Sequence, residues 1–216
     1  MMDVDKTYII GDVHGCLEML KRLLDKIDWN PANDRLIFLG DYIDRGKNSK
    51  GVLDLLLEIS KSSSLVQFLI GNHENIFLEY LNTGRIMGFI LNGGDATLES
   101  YRTAESSGSE VDIPQEHIAF LRSLEHWIEL DDYYVVHAGF RPGVDLERQS
   151  FEDLIWIRNA FIFSDYDFGK KVIFGHTPFY KPLLMENKIG LDTGAVYGNK
   201  LTCLELPAVK FHFVEA

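Results

Sequence analysis

The sequence predicts an α/β sandwich with two central sheets and flanking helices, and two observations carry that expectation. Five short apolar runs each stop at or beside a glycine and then present Asp, Asn or His. They are YIIGDVHG (Tyr8 to Gly15), IFLGDYIDRG (Ile37 to Gly46), FLIGNHE (Phe68 to Glu74), VVHAG (Val135 to Gly139) and IFGHT (Ile173 to Thr177). Each reads as a buried strand ending in a tight turn. Between the first three lie stretches of helical spacing, so the first half runs strand, helix, strand, helix, strand, the order of parallel crossover units. Ligands of open α/β sheets bind just beyond the carboxyl ends of the strands. Five such ends carrying oxygen and imidazole donors therefore describe one site, and a metal-dependent enzyme.

Taken in order, the strand at Tyr8 is followed by a helix over Cys16 to Asp28, where Leu17, Leu20, Leu24 and Ile27 recur at helical spacing. Ser49 to Ser60 is the second helix, with Val52, Leu53, Leu56 and Ile59 inward. Glu74 to Leu81 continues as helix from the third strand, and Arg85 to Arg102 is a helical excursion broken at Gly93-Gly94. Ala104 to Asp112 is Gly/Ser-rich and reads as an exposed loop. Pro114, at a first helical position, opens a helix through Glu125. The pattern then turns strand-rich: Tyr133 to Val136, Val172 to Phe174, Ile189 to Leu191, Leu201 to Leu206 and Val209 to Val214, with a helix over Phe151 to Ala160. No repeat or linker divides the chain, so residues 1–216 are expected to form one catalytic domain.

Composition narrows the function classes. The 216 residues carry 21 Lys plus Arg against 33 Asp plus Glu, a formal charge of −12. A nucleic-acid partner needs a basic footprint, which this balance denies. An anionic substrate stays possible, because bound cations reverse the sign locally. With only Cys16 and Cys203, a disulfide framework is not expected, and the reducing cytoplasm is the expected compartment. The opening MMDVDK shows no basic-then-apolar leader, and no apolar stretch approaches the roughly 20 residues of a membrane span.

Asp12 and His14 sit two apart, which in extended backbone puts them on one side. Asp41, Asn72, His137 and His176 complete a shell of three oxygen and three imidazole donors, suited to a pair of divalent ions of intermediate hardness. The motifs contain no thiolate, which speaks against a structural zinc site. A metal pair can hold a hydroxide and clamp a phosphoryl group, with Asp12 or Asp41 able to bridge. Arg45, directly after Asp44, brings a guanidinium whose paired donors match phosphate. His73 is the candidate general acid, with Asp44 to hold its other ring nitrogen. His117, His126 and His212 lie outside these motifs and read as ordinary histidines. Cys16, Met87 to Leu91 and Phe161 to Phe163 read as packing residues.

The ordered set Gly11-Asp12-Val13-His14-Gly15, Gly40-Asp41-Tyr42-Ile43-Asp44-Arg45-Gly46 and Gly71-Asn72-His73-Glu74 resembles the three signatures of the phosphoprotein phosphatase family of metallophosphoesterases, the calcineurin-like enzymes. Val136-His137-Ala138-Gly139, Ile155-Trp156-Ile157-Arg158, Gly175-His176-Thr177-Pro178 and Leu191-Asp192-Thr193-Gly194-Ala195 extend the likeness from about Tyr8 to Leu206. They set the chain beside the compact bacterial and phage branch typified by the bacteriophage lambda serine/threonine phosphatase. The resemblance implies a metallophosphatase-type sandwich of two mixed β-sheets flanked by helices. It implies that Asp12, His14 and Asp41 hold one ion, with Asp41 bridging, and that Asn72, His137 and His176 hold the other. It implies manganese, with iron or zinc as substitutes, His73 as acid oriented by Asp44, and Arg45, Arg158 and Asn72 on the substrate phosphate. The expected substrates are phosphomonoesters, phosphoserine and phosphothreonine in proteins first. The alternative is hydrolysis of dinucleoside polyphosphates. A non-catalytic phosphate-binding scaffold is disfavoured, because every one of these positions is filled.

Overall fold

The computed structural model describes residues 4–102 and 111–216, so most of the loop expected at Ala104 to Asp112 lies outside the described residues. Two five-stranded mixed sheets form the centre. In the first, β10 (Lys210–Glu215), β9 (Lys200–Leu206), β1 (Thr7–Ile10), β2 (Arg35–Phe38) and β3 (Val66–Phe68) follow one another in space. In the second the order is β4 (Trp127–Glu129), β5 (Tyr133–Val136), β6 (Lys171–Phe174), β8 (Lys188–Gly190) and β7 (Leu183–Leu184). The β1–β2–β3 and β5–β6–β8 runs are parallel, and the remaining pairs, β10–β9, β9–β1, β4–β5 and β8–β7, are antiparallel. β4 and β7 are short edge strands that the sequence reading lacks.

Alternation along the strands builds the layers. Ile9, Ile37, Val135, Ile173 and Ile189 point between the sheets and pack with Leu39, Leu69, Leu191 and Leu204. Their neighbours Tyr8, Ile10, Leu36 and Phe38 face the other way. They join Leu20 and Leu23 of α1 (Leu17–Lys26) and Val52 and Leu56 of α2 (Ser49–Ser60) in a second apolar layer. The α2 boundaries and inward face are those expected, and Asn48 Oδ1 caps the helix by accepting the Gly51 N–H at 3.0 Å. α3 (Asn72–Thr83) begins two residues before the expected Glu74. Glu74 reaches back to take the Gly71 N–H at 2.9 Å and so starts the helix at Asn72.

The helical excursion divides into α4 (Ile86–Leu91) and α5 (Gly94–Tyr101) at the expected glycines. Gly93 has φ 90°, and a Cβ there would lie 2.8 Å from Arg45 Cγ, so the break also makes room for that arginine. α6 (Gln115–Arg122) stops short of Glu125, which leaves the helix to bridge Leu69 beside β3. The helix expected over Phe151 to Ala160 is two pieces, α7 (Phe151–Trp156) and α8 (Asn159–Ile162), separated at Arg158 with φ −130° and ψ −104°. Phe89 and Phe161 are buried as packing residues, whereas Met87, Leu91 and Phe163 are exposed. His117 is a buried tie, with Nδ1 2.6 Å from Tyr101 Oη and Nε2 3.1 Å from Asp54. No helix of the described residues is long and apolar enough to cross a membrane.

Lys188 is a buried cation, 1% exposed, with no carboxylate on its ammonium among the described residues. Its Nζ donates to the carbonyls of Phe161 (2.9 Å) and Ile162 (3.4 Å) and to that of Ser164, closing the end of the short helix that Arg158 opens. Burial pulls its pKa down. Lys188→Met removes the desolvated charge but strands those carbonyls. Since an unsatisfied buried acceptor costs about 1–3 kcal/mol, a net loss near the middle of that range is expected in urea unfolding. A variant as stable as wild type would show that the carbonyls need no donor.

Candidate active site

Register aligns the strand ends. Ile10, Phe38 and Phe68 are cross-strand partners, so the segments leaving β1, β2 and β3 emerge at one edge of the first sheet. The ladder runs on past the strands, with the Leu39 N–H donating to Ile10 O at 3.0 Å and the Leu69 N–H to Phe38 O at 2.9 Å. In the second sheet the Gly175 N–H donates to His137 O and the Leu191 N–H to Phe174 O, both at 2.8 Å. The two edges meet where the His176 N–H donates to Asp12 Oδ2 at 2.9 Å and His137 Nδ1 lies 2.8 Å from Leu39 O. A Cβ on Gly175 would occupy the place of Asp12 Oδ1, so a glycine is needed for that contact.

Five of the six non-glycine residues with positive φ among those described lie in these turns: His14 (44°), Asp41 (52°), Asp44 (71°), Arg45 (65°) and His176 (63°). Such backbone costs about 1–3 kcal/mol per residue and persists only where surroundings over-determine it. Glu74 is one such determinant. Fully buried, it accepts the N–H groups of Asp41 and Tyr42, both at 2.8 Å, in addition to Gly71. Burial, with Asp41 nearby, raises its pKa to about 7.

The six donors expected to hold ions all lie at this edge, and all are buried. Asp41 sits centrally: Oδ2 is 3.4 Å from His14 Nε2, and Oδ1 is 3.5 Å from His137 Nε2. His137 Nε2 is also 3.2 Å from Asn72 Oδ1. Among the described residues two groups have donor atoms within 4.8 Å of one another: His14, Asp41 and His73, and Asp41, His137 and His176. Asp41 belongs to both. His73 therefore stands among the first donors, while Asp12 is turned toward His176.

The electrostatics suit cations. Burial drives His14 down to about 3 and His176 to about 2, and lowers His137 too, so all three imidazoles are neutral with a lone pair to offer. His14 Nδ1 lies 2.8 Å from Ile43 O, as His137 Nδ1 does from Leu39 O; donating there directs each Nε2 inward. Burial would raise Asp41, whereas imidazolium charge on His137, His73, His14 or His176 lowers it well below the ordinary carboxylate range; with the other three rings neutral, His73 is the source that remains. Burial, reinforced by Asp192 and Asp41, pushes Asp12 well above it. Asp12 Oδ1, His73 Nε2 and His176 Nε2 are buried without a hydrogen-bond partner among the described residues. Unpartnered buried polar atoms are expensive unless an ion or ligand meets them, so the donor set fits a divalent pair.

His73 Nδ1 is 2.7 Å from Asp44 Oδ2. Thr97, which nothing in the sequence marks, donates to Asp44 Oδ1 at 2.6 Å, and the Asp44 N–H returns to Thr97 Oγ1 at 2.9 Å. A carboxylate accepting on both oxygens is the ionised partner, so the shared proton belongs to His73. Burial opposes charge on His73, yet Asp41 and Asp44 outweigh it and its pKa rises. Arg45 Nη1 lies 2.7 Å from His14 Nε2, and its guanidinium is 5.8 Å from the Tyr197 ring centroid. Arg158, expected on the substrate phosphate, is exposed at the break between α7 and α8. From there its charge lowers the pKa of His137, His176 and Asp192. Asp192, at a sixth strand end after β8, has its pKa raised by burial to about 6 and feels Arg45 as well. The LDTGA match is legible in the sequence; a charge for Asp192 between two arginines is not.

Comparison with known proteins agrees with this geometry. A family model described as calcineurin-like phosphoesterase matches residues 6–211. The asymmetrical bis(5′-nucleosyl)-tetraphosphatase PrpE of Oceanobacillus iheyensis is 28% identical over 231 residues, covering 95% of this chain and 90% of its own. Serine/threonine-protein phosphatase 1 of Salmonella typhimurium is 31% identical over 202 residues, covering 90% and 89%. The crystal structure of a candidate diadenosine tetraphosphatase superposes with a TM-score of 0.77 at 23% identity, over 98% of this chain and 93% of that one, a likeness of fold. The expected family stands, but its branch needs correcting: these relatives are tetraphosphatases as well as a protein phosphatase, not specifically the lambda type. With a matching model over nearly its whole length and a sandwich of that fold, the chain belongs to the calcineurin-like phosphoesterase family of metal-dependent hydrolases.

Proposed function

We propose that this chain is a cytoplasmic hydrolase of dinucleoside polyphosphates that cuts them asymmetrically, with residues 1–216 as one catalytic domain. The observation that carries the reading is end-to-end likeness to proteins named as asymmetrical bis(5′-nucleosyl)-tetraphosphatases, over 95% of this chain in one case. That reverses the ranking read from the sequence, where protein phosphatase stood first. Asp12, His14, Asp41, Asn72, His137 and His176 would hold two divalent ions, manganese first, with iron or zinc compatible with the same donors. When bound, such a pair supplies a hydroxide nucleophile at neutral pH and positive charge against the phosphoryl oxygens.

The chain's own residues do the rest. Arg45 and Arg158 grip the nonbridging oxygens of the attacked phosphate, and Asn72 reaches the same group. His73 gives its Nε2 proton to the leaving oxygen as the bridging P–O bond breaks. Asp44 holds the imidazolium through Nδ1, and Thr97 fixes Asp44. Phosphoryl transfer asks little more of a protein than this positioning and charge.

A second reading, phosphoserine and phosphothreonine in proteins, is favoured by the 31% identity to the Salmonella enzyme. One panel decides. Manganese-loaded protein is offered diadenosine tetraphosphate, a phosphoserine peptide and p-nitrophenyl phosphate, and products are separated by chromatography. The dinucleotide is expected to have the highest kcat/KM and to give ATP plus AMP. Faster turnover of the phosphopeptide, or ADP as sole product, would overturn the proposal.

A further inference from the structure

We propose that Tyr197 is the stacking platform for a base of the nucleotide substrate, placed so that the phosphates of that nucleotide fall to Arg45. The inference rests on the dinucleoside polyphosphate reading and names the part of the site that would recognise the nucleoside.

Tyr197 is 63% exposed, yet its backbone is tightly held. It ends a 3-10 turn over Ala195–Tyr197, bracketed by the left-handed Gly194 (φ 69°) and Gly198 (φ 83°). The Tyr197 N–H donates to Gly194 O at 3.0 Å and the Asn199 N–H to the same carbonyl at 3.2 Å. Asp192 Oδ1 takes the Gly194 N–H at 2.9 Å, and Asn199 Nδ2 donates to Thr193 O at 2.8 Å. A large aromatic side chain is thus mounted on a turn tied to a buried site aspartate, with most of its surface uncovered.

What the ring faces decides its occupant. The Arg45 guanidinium lies 5.8 Å from its centroid and, through Nη1, 2.7 Å from His14 Nε2. One cation therefore joins an imidazole of the first donor group to an aromatic face. A nucleotide has the matching shape, an anionic phosphate joined through one ribose to a flat base. A phosphoserine side chain carries its phosphate with no ring at that distance. Stacking on tyrosine tolerates any base, which suits a site that selects nucleosides as a class. Trp156, 38% exposed, lies with its ring 5.7 Å from that of His176 in the second donor group, and a dinucleoside polyphosphate has a base at each end.

The test compares a ligand with and without the nucleoside. Calorimetry on the manganese-loaded protein measures Kd for α,β-methylene-ADP and for methylenediphosphonate, neither of which is hydrolysed. Wild type is expected to favour the nucleotide by roughly 5- to 150-fold, the range of base–aromatic stacking. In Tyr197→Ala that ratio should fall toward one, and saturation-transfer signals from the purine protons should be lost, while Tyr197→Trp keeps both. The diphosphonate constant is the control for an intact phosphate site. An unchanged ratio in Tyr197→Ala, equal weakening of both ligands, or no nucleotide preference in wild type would each overturn the platform. A wild-type protein that prefers phosphopeptides as substrates while Tyr197→Ala loses the nucleotide ratio would overturn the proposed function and leave the platform standing.

Discussion

Replacing His73 by Asn is expected to lower turnover by roughly 10²- to 10⁴-fold, the weight of a positioned general acid. The expectation starts from geometry. His73 Nε2 is buried with no partner among the described residues, while Nδ1 is committed to Asp44 at 2.7 Å. One nitrogen is thus anchored and the other free to deliver a proton. The loss should depend on the leaving group, being largest for an alkyl phosphate, smaller for a nitrophenyl ester and smaller again for a polyphosphate chain, whose departing oxygen needs little protonation. Asn keeps a donor of similar reach, so folding and bound metal should change little. Asp44→Asn should reproduce part of the loss, because an amide there no longer favours the imidazolium. A loss of equal size across the three leaving groups would remove His73 from the role of acid and leave it as one more donor near the first ion. That alternative is concrete, since His14, Asp41 and His73 form a group with metal-binding spacing.

The parts of the fold and site that are legible in the sequence are those that carry their own chemistry. Asp12, Asp41, Asn72 and His176 each follow an apolar run closed by a glycine, His137 follows Val136 directly with Gly139 two residues on, and burial on both faces explains why those runs are uninterrupted. α2 is readable to the residue because Asn48 caps it and Val52, Leu53, Leu56 and Ile59 mark its inner face. β4 and β7, at three and two residues, are too short to show any alternation. Thr97 and Lys188 act through groups distant in the chain, Asp44 and the carbonyls around Phe161, and a single threonine or lysine signals neither. Arg158 shows the intermediate case. Its motif marks it, but the apolar spacing through Phe151 to Ala160 continues a helix that the backbone interrupts at Arg158 itself. The interruption separates the arginine from α7 and leaves it at the mouth, where its charge reaches His137, His176 and Asp192.

Stripping the protein of metal is expected to abolish hydrolysis, and manganese to restore it. The sharper version concerns Asp41. Its two carboxylate oxygens face His14 Nε2 at 3.4 Å and His137 Nε2 at 3.5 Å, so one residue serves both donor groups. An amide at this position has one oxygen to offer and no charge. Asp41→Asn should therefore lose both ions after manganese loading and gel filtration, as read by elemental analysis, and lose turnover with them. Asn72→Ala touches only the second group, next to His137, and should keep the first ion. Thermal melting supplies a readout independent of catalysis. A ligand at about 100 times its Kd stabilises the native state by about 2.7 kcal/mol per site, so manganese should raise the Tm of wild type clearly and that of Asp41→Asn hardly at all. The free variant need not be unstable. Without the ions, Asp41 is a buried anion held by neutral and partly charged imidazoles, and Asn relieves that desolvation. Retention of both ions by Asp41→Asn would show that the two groups bind independently, with Asp12 the residue between them. Full hydrolysis by verified metal-free protein would remove the metal pair from the mechanism altogether.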